Sequence, residues 1–537
     1  MTYTHWLAKI KMIKYLNAVV LSKAVSYKEE LRGMSVPCPK VTKRNPTGNY
    51  HNLAERLTYN YSYPNCYLLM DALKRFEERL LLSRQYPIQK VTLSNKTIDT
   101  IKIRIRNGCD ESQSILWPCE SMNESYSLLI FSQRIILEAE EIWGILHGLE
   151  TILQLVYRSA LETNVIEGGT ISDAPLFSHR GFLIDTSRHY LSIKEIKKFI
   201  DAMSMVKMNV LHWHVVDDQS FPYVSTIFPR LSLKGAFHPY LLIYTPTDVK
   251  YLLNYARLRG IRVMAEFDTP GHTISWGKGY PEVLTQCYTE GKPDGNLGPV
   301  NPISNVSYTF MSNLFKELLD VFPEAWVHLG GDEVEYHCWM SNPSIIDFMN
   351  KTKFGDDYRR LEGYYINKLI EIIKNIKPHG PSITPVVWQE IFQNGFRGDK
   401  STVVHVWKDK DWQTVVRNAT KAGYRVLFSA AWYLNLISYG DDWKNYYLVD
   451  PRNFAGDKED IKRVVGGEAA MWGEYVDDTN LFSRSWPRGA AVAERLWTDE
   501  AKLSTREFVP RVEELRCRML SRDWHAEPIN GPGFCSP

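Results

Sequence analysis

Beyond Pro175 the chain alternates short β-type runs with capped helical segments, and this constrains the fold more than any other feature, because parallel strands require a crossover between them. The runs are Phe182 to Thr186, Val210 to Val216, Ile261 to Phe267, Trp326 to Gly330, Pro385 to Trp388, Val403 to Trp407, Arg425 to Ser429 and Val464 to Gly467. Helix starts are marked between them. Ser192 with Glu195 has the capping-box spacing before a helix to about Lys207, and Thr245-Pro246 with Asp248 opens another that stops at Gly260. Eight such runs predict an α/β fold, a (β/α)8 TIM barrel over 176–537, preceded by a smaller α+β N-terminal domain.

That smaller domain is expected over 66–175. A helix is predicted from Leu68 to Leu82, and Ile101, Ile103 and Ile105 alternate with Lys102, Arg104 and Arg106 as a half-exposed strand. Ile142, Ile145, Leu146, Leu149, Ile152, Leu153 and Val156 form one stripe at helical spacing. Residues 1–65 show little periodicity and are assigned a leader and irregular structure. Lys9, Lys11 and Lys14 precede a short apolar run, Tyr15 to Leu21, which Asn17 interrupts; this is a marginal signal peptide.

The chain has 537 residues, and its 64 basic against 62 acidic residues give a net charge of +2, so no field gathers nucleic acid or an anionic membrane. No run is long and apolar enough to span a bilayer. The 8 cysteines are even in number but show no CxxC pair of a zinc or thioredoxin site. Sequons at Asn60, Asn95, Asn123, Asn305, Asn350 and Asn418 suit a secreted or lumenal protein.

Reactive side chains fall at or beyond the C-terminal ends of the runs: Arg188, Asp217, Asp268 with His272, Asp332 with Glu333, Trp388, Trp407, Tyr433, and Trp472 with Glu474. A closed barrel gathers all of these ends on one face, whereas an open sheet does not. The chemistry centres on HLGGDEVEYHCW, His328 to Trp339, where a strand ends in two glycines followed by adjacent carboxylates. Side chains alternate along an extended chain, so Asp332 and Glu333 cannot easily flank one bond as the acid and nucleophile of an ordinary glycosidase do. They must hold different jobs, unless they are simply a solvated pair at a turn.

At these residues the chain resembles glycoside hydrolase family 20, the β-N-acetylhexosaminidases, and closely the animal lysosomal subunits. The similarity rests on DTSRHYL (185–191), LHWHVVDDQSFP (211–222), EFDTPGHT (266–273), HLGGDEVE (328–335), AWYLNLISYG (431–440), GGEAAMWGEYVD (466–477) and AERLW (493–497). It implies exo-acting, retaining hydrolysis of terminal β-linked N-acetylglucosamine or N-acetylgalactosamine. The sugar's own 2-acetamido oxygen would attack the anomeric carbon to give an oxazolinium intermediate.

In that scheme Glu333 corresponds to the acid that protonates the leaving oxygen and then activates water, which calls for partial burial. Asp332 corresponds to the group that orients the acetamido nitrogen and steadies the developing positive charge. Tyr433 should hold the acetamido oxygen, and Trp388, Trp407 and Trp472 should wall its pocket. Arg188 and Glu474 correspond to ligands of the sugar hydroxyls. Asp217, Asp268 and His272 look like the polar groups that position the acid, with His272 as proton relay. Zinc is the rival role for these three, but no HExxH-like spacing occurs and the family uses no metal or cofactor. Arg180 is read as structural because it precedes the first run.

One animal subunit type shows Asn then Arg after the tyrosine and accepts acidic sugars, while the other shows Asp then Leu. Asn435 and Leu436 mix the two, and Leu436 cannot attract sulfate, which favours neutral sugars. The segment Thr289 to Gly298 is either a contact for a protein cofactor or glycan arm, or a mobile loop tip. The resemblance also implies disulfides joining Cys66 with Cys109, Cys287 with Cys338 and Cys517 with Cys535, a homodimer, and a lysosomal or secreted location. Cys38 and Cys119 are left over, either to pair with each other or to stay apart. Two other readings stand: a catalytically inactive glycan-binding protein on the same scaffold, and a two-carboxylate glycosidase pairing Glu333 with Glu474 or Asp217.

Overall fold

Within the strand Val210–Val216, alternate side chains sort by destination: Leu211, Trp213 and Val215 join the outer apolar core, while Val210 belongs to a separate inner cluster. The computed structural model describes residues 35–44, 49–81, 92–131, 133–159, 163–376, 382–436, 438, 440–499, 503–529 and 535. Eight parallel strands close a barrel in which His179–Asp185 sits between Val210–Val216 and Val464–Met471. The remaining strands follow in chain order: Arg262–Phe267, Trp326–His328, Thr384–Trp388, Val403–Val406 and Arg425–Phe428. Each of the eight runs expected from the sequence supplies one barrel strand. Thr245 and Asp248 form the expected reciprocal capping box, whereas at Ser192 only half of one forms: its side chain accepts from the Glu195 backbone N–H, but its own N–H donates to Asp478.

The barrel interior is layered. Its lower layer is apolar, built from Val210, Met264, Trp326, Val386, Val403 and Leu427. Above it come His212, Glu266, His328, His405 and Glu468, all fully buried. Above these, Leu183, Trp388, Ala470 and Trp472 make an aromatic-rich cluster against which Trp407 and Tyr433 pack.

The N-terminal domain is an eight-stranded mixed sheet in the order Val41–Arg44, Gly169–Asp173, Tyr126–Phe131, Arg134–Ala139, Thr92–Ile105, Asn49–Asn60, Asn164–Glu167 and Val156–Arg158. Ile101, Ile103 and Ile105 are buried, as their alternation predicts, and share one core with helices Tyr67–Leu81 and Ile142–Leu155. Residues 1–65 are not irregular throughout: Asn49–Asn60 pairs in parallel with Thr92–Ile105, and Val41–Arg44 forms the sheet edge. Partners distant in sequence create these strands, so local periodicity does not show them. The proposed leader lies outside the described residues.

Arg180 lies inside the first barrel strand, not before it, and forks onto Glu124 of the N-terminal domain at 2.5 and 3.0 Å. Thr289 to Gly298 belongs to a hairpin of Leu284–Thr289 with Lys292–Val300, so it is not an irregular loop. The three expected disulfides are formed. Cys38 and Cys119 are not joined to each other, since Cys38 is buried and Cys119 is exposed near Ser121. Among the described residues no helix is long and apolar enough to cross a membrane.

Candidate active site

The fourth strand ends at His328, and the chain then coils sharply. Gly330 and Gly331 take φ of 69° and 96°, and Glu333 takes 49°, a left-handed conformation that costs a non-glycine residue about 1–3 kcal/mol. The coil defeats strand alternation. Asp332 Oδ1 lies 3.9 Å and Glu333 Oε2 lies 4.0 Å from the same nitrogen, His272 Nε2. Their surroundings still differ, because the Asp332 side chain is 11% exposed and that of Glu333 is 59% exposed. The partial burial expected of Glu333 is therefore not provided by the protein alone: its side chain projects from the turn toward solvent.

His272 is held from behind. Its Nδ1 lies 3.0 Å from Asp217 Oδ1, and Asp217 Oδ2 receives His214 Nε2 at 2.8 Å and Arg188 at 2.9 Å. The Asp218 N–H adds a fourth bond, at 2.6 Å to Oδ1. Burial alone would raise Asp217, but its hydrogen bonds from His214 and His272 hold it well below the ordinary carboxylate range. Burial likewise opposes a charged His272, yet the carboxyl groups of Asp268, Asp332 and Asp217 hold it well above the usual imidazole range, as a cation. Asp268 is pushed above the ordinary carboxylate range by burial and then by the neighbouring Asp332 carboxyl.

Arg188 also contacts Asp185 at 2.9 Å and lies over the Trp472 ring, 5.0 Å from its centroid. Four rings form a box. Trp407 stacks on Tyr433 with centroids 5.7 Å apart, Trp388 lies 6.4 Å from Trp407 and 6.1 Å from Trp472, and Tyr433 lies 6.4 Å from Trp472. Each such contact contributes about 0.5–1.5 kcal/mol beyond area burial, which stiffens the walls.

Arg188, Asp217, Asp268, His272, Asp332, Glu333, Trp388, Trp407, Tyr433 and Trp472 thus converge on the C-terminal mouth. Glu474 is exposed at the rim, where its charge acts on Arg188. Asn435 is half-buried, its carbonyl accepting from Arg484 at 2.7 Å, and Leu436 is 63% exposed beside it. Asn60, Asn123, Asn305, Asn350 and Asn418 are exposed, whereas the Asn95 side chain is outside the described residues.

Sequence reasoning missed several supports. Glu390 accepts the Trp407 indole N–H at 2.9 Å, and Gln389 accepts the Trp407 backbone N–H at 2.9 Å. Glu266 accepts the Trp388 indole N–H at 2.8 Å. For Glu266 the available signal was a charged residue inside a buried β run, which needs a partner wherever it occurs; Gln389 and Glu390, on the short helix Gln389–Gln393, carried no such signal. Ligand-type atoms of His212, His328 and His405, of Asp217, Asp218 and His272, and of Asp268, His272 and Asp332 cluster closely enough to hold an ion. Hydrogen bonds already occupy many of these atoms: both His212 nitrogens face carboxylates, and His328 Nε2 faces His405 Nδ1 at 3.2 Å.

A closed parallel barrel whose mouth presents an acid pair, an arginine and a box of aromatic rings defines a barrel enzyme with its site at the C-terminal face. The sequence comparisons then place it. The chain belongs to glycosyl hydrolase family 20 and is a glycosidase: that family's catalytic-domain profile matches residues 177–500, and the profile described as beta-acetyl hexosaminidase like matches residues 13–155. It is 47% identical to beta-hexosaminidase subunit beta of Felis catus over 474 residues, covering 88% of this chain and 87% of that protein. It is 46% identical to the alpha subunit of Bos taurus over 477 residues, covering 88% of each. Among solved structures it is similar to Flavobacterium johnsoniae chitobiase, with 28% identity and a TM-score of 0.77, over 91% of this chain and 73% of that one.

Proposed function

We propose that the protein removes terminal, non-reducing β-linked N-acetylglucosamine or N-acetylgalactosamine from glycoconjugates or chitooligosaccharides, with the sugar's 2-acetamido oxygen as nucleophile. The observation that carries this reading is the state of Asp217. Both of its oxygens are engaged by His272, His214, Arg188 and the Asp218 N–H, which leaves it no lone pair directed at a sugar. The pairing of Glu333 with Asp217 as a two-carboxylate glycosidase is therefore disfavoured.

In this scheme the box of Trp388, Trp407, Trp472 and Tyr433 presses the acetamide toward the anomeric carbon, and the Tyr433 hydroxyl holds its oxygen. Asp332 accepts from the acetamide N–H and stabilises the oxazolinium cation. Glu333 gives its proton to the leaving oxygen and then takes one from water, with His272 between it and Asp217 as the relay. Substrate seated on the rings would cover Glu333, supplying burial that the turn lacks. Arg188 and Glu474 bind sugar hydroxyls, and Leu436 favours neutral sugars. The glycan is the substrate and no cofactor takes part. A homodimer fits relatives named as subunits, and a lysosomal or secreted location suits the exposed sequon asparagines Asn60, Asn123, Asn305, Asn350 and Asn418.

The test is kinetic. Glu333→Gln and Asp332→Asn should each lose several orders of magnitude in turnover on a chromogenic N-acetylglucosaminide, while Glu333→Gln still binds a thiazoline mimic of the intermediate. A glycoside lacking the 2-acetamido group should not react; undiminished hydrolysis of it rejects the mechanism. A native protein that binds the sugar without turning it over would point instead to a glycan-binding scaffold.

A further inference from the structure

We infer that Glu266 and His214 are positioning residues for both the proton relay and the sugar pocket, acting through a buried chain of alternating imidazoles and carboxylates. The inference rests on the hydrolytic reading above and extends it below the mouth. The chain begins at Asp217, whose Oδ2 lies 2.8 Å from His214 Nε2. His214 Nδ1 lies 2.6 Å from Glu266 Oε2, and the same oxygen lies 3.1 Å from His212 Nε2. His212 Nδ1 is 2.7 Å from Glu468 Oε2, and Glu468 Oε1 is 2.6 Å from His179 Nε2. Every member is at most 1% exposed.

These contacts fix the protonation pattern. An imidazole nitrogen that hydrogen-bonds to an ionised carboxylate donates, so a ring with such a partner at each nitrogen carries two hydrogens and is a cation; His328 is not such a ring, because its Nδ1 also takes the Gly330 N–H and its Nε2 faces His405. His212 and His214 both meet that condition. His179 does not, because its Nδ1 accepts from Arg262 at 3.4 Å and it remains a neutral donor. Burial opposes charge on both inner rings, yet their carboxylate partners raise His212 to about 9 and hold His214 well above the usual imidazole range. The groups facing His214 are Glu266, Asp217 and the Trp472 ring, whose centroid lies 4.8 Å from that of the imidazole, with Arg188 on the far side of Asp217.

Glu266 is the junction. One oxygen fixes the cation behind Asp217, and the other accepts the Trp388 indole N–H at 2.8 Å and lies 3.0 Å from His328 Nδ1. One carboxylate therefore orients a wall of the acetamide pocket and sets the field behind the His272 relay. Core filling alone does not account for the layer: buried ion pairs add little net stability compared with apolar packing of the kind Val210, Met264, Val386, Val403 and Leu427 provide beneath it.

Neutron diffraction from crystals of the deuterated native protein at neutral pH tests the pattern without any variant. Deuterium is expected on both nitrogens of His212 and His214, and a single deuterium on His214 overturns the inference. His214→Gln removes a buried cation, which raises the pKa of the titrating groups around it. Both limbs of its kcat/KM profile on an N-acetylglucosaminide should move to higher pH by about half a unit or more. A lower rate with unmoved limbs, in a variant of native melting temperature, means a structural role only and overturns the inference. Glu266→Gln should in addition weaken thiazoline binding by roughly 10-fold, as Trp388 loses a charged acceptor; unchanged affinity overturns the link to the pocket. An inactive native enzyme would instead count against the functional reading.

Discussion

The backbone N–H of Gly331 donates to Asp268 Oδ1 at 2.8 Å, tying the coil that carries Asp332 and Glu333 to the end of the third barrel strand. Gly330 lies so close beneath the same carboxyl that a Cβ there would overlap Asp268 Oδ1, and its φ of 69° disfavours any side chain. Gly330→Ala is therefore expected to shift the coil, lowering stability by about 2–4 kcal/mol and kcat by roughly 100-fold. Calorimetry and steady-state kinetics check this, and near-native values of both would contradict it.

Glu362 is buried, accepts from the Tyr336 hydroxyl and from Asn394, and is raised from 4.5 to about 7, first by burial. Because its folded value lies above its unfolded one, its contribution to stability is complete below pH 4.5 and is lost as pH rises toward 7. Glu362→Gln should remove on the order of 2–3 kcal/mol of that loss. Melting temperatures of native protein and variant, compared between acid and mildly alkaline pH, should diverge in the variant's favour only at the upper end.

Leu436 is 63% exposed at the rim, next to Asn435. Replacing it by arginine puts a cation where a 6-sulfate or carboxylate could approach. The ratio of kcat/KM on sulfated to neutral N-acetylglucosaminide should rise by about 10-fold in Leu436→Arg, mainly through KM. An unchanged ratio would show that residue 436 does not face the substrate.

Cys287 and Cys338 join the hairpin to the helix that follows the acid pair, closing a loop with a separation of 51 residues. Replacing both with alanine should cost about 3–4 kcal/mol through the unfolded chain. Turnover should fall several-fold even well below the melting temperature, since the bond restrains the coil bearing Glu333. Kinetics at low temperature separate the two effects.

The barrel could be read from the order of β runs and caps, because each run is long enough to carry its own signal and each crossover helix its own stop. The N-terminal edge could not. Asn49–Asn60 is a strand only because Thr92–Ile105 lies beside it. Within the site, Asp332 and Glu333 could be singled out as a pair with unequal tasks, but the expectation that they diverge assumed extended backbone. Three positive φ values bring both carboxylates within 4.0 Å of His272 Nε2. Glu266 and His214 went unnoticed as supports because a charge in an apolar run shows a need for partners without naming them.

Sequence alone determined the class of fold and the kinds of side chain at the mouth, because strand period, helix caps and strand ends are local properties of the chain. Only tertiary structure decided which nitrogens face which carboxylates. Those depend on eight strands meeting around one axis, where groups nearly 300 positions apart, such as His179 and Glu468, come within hydrogen-bonding distance.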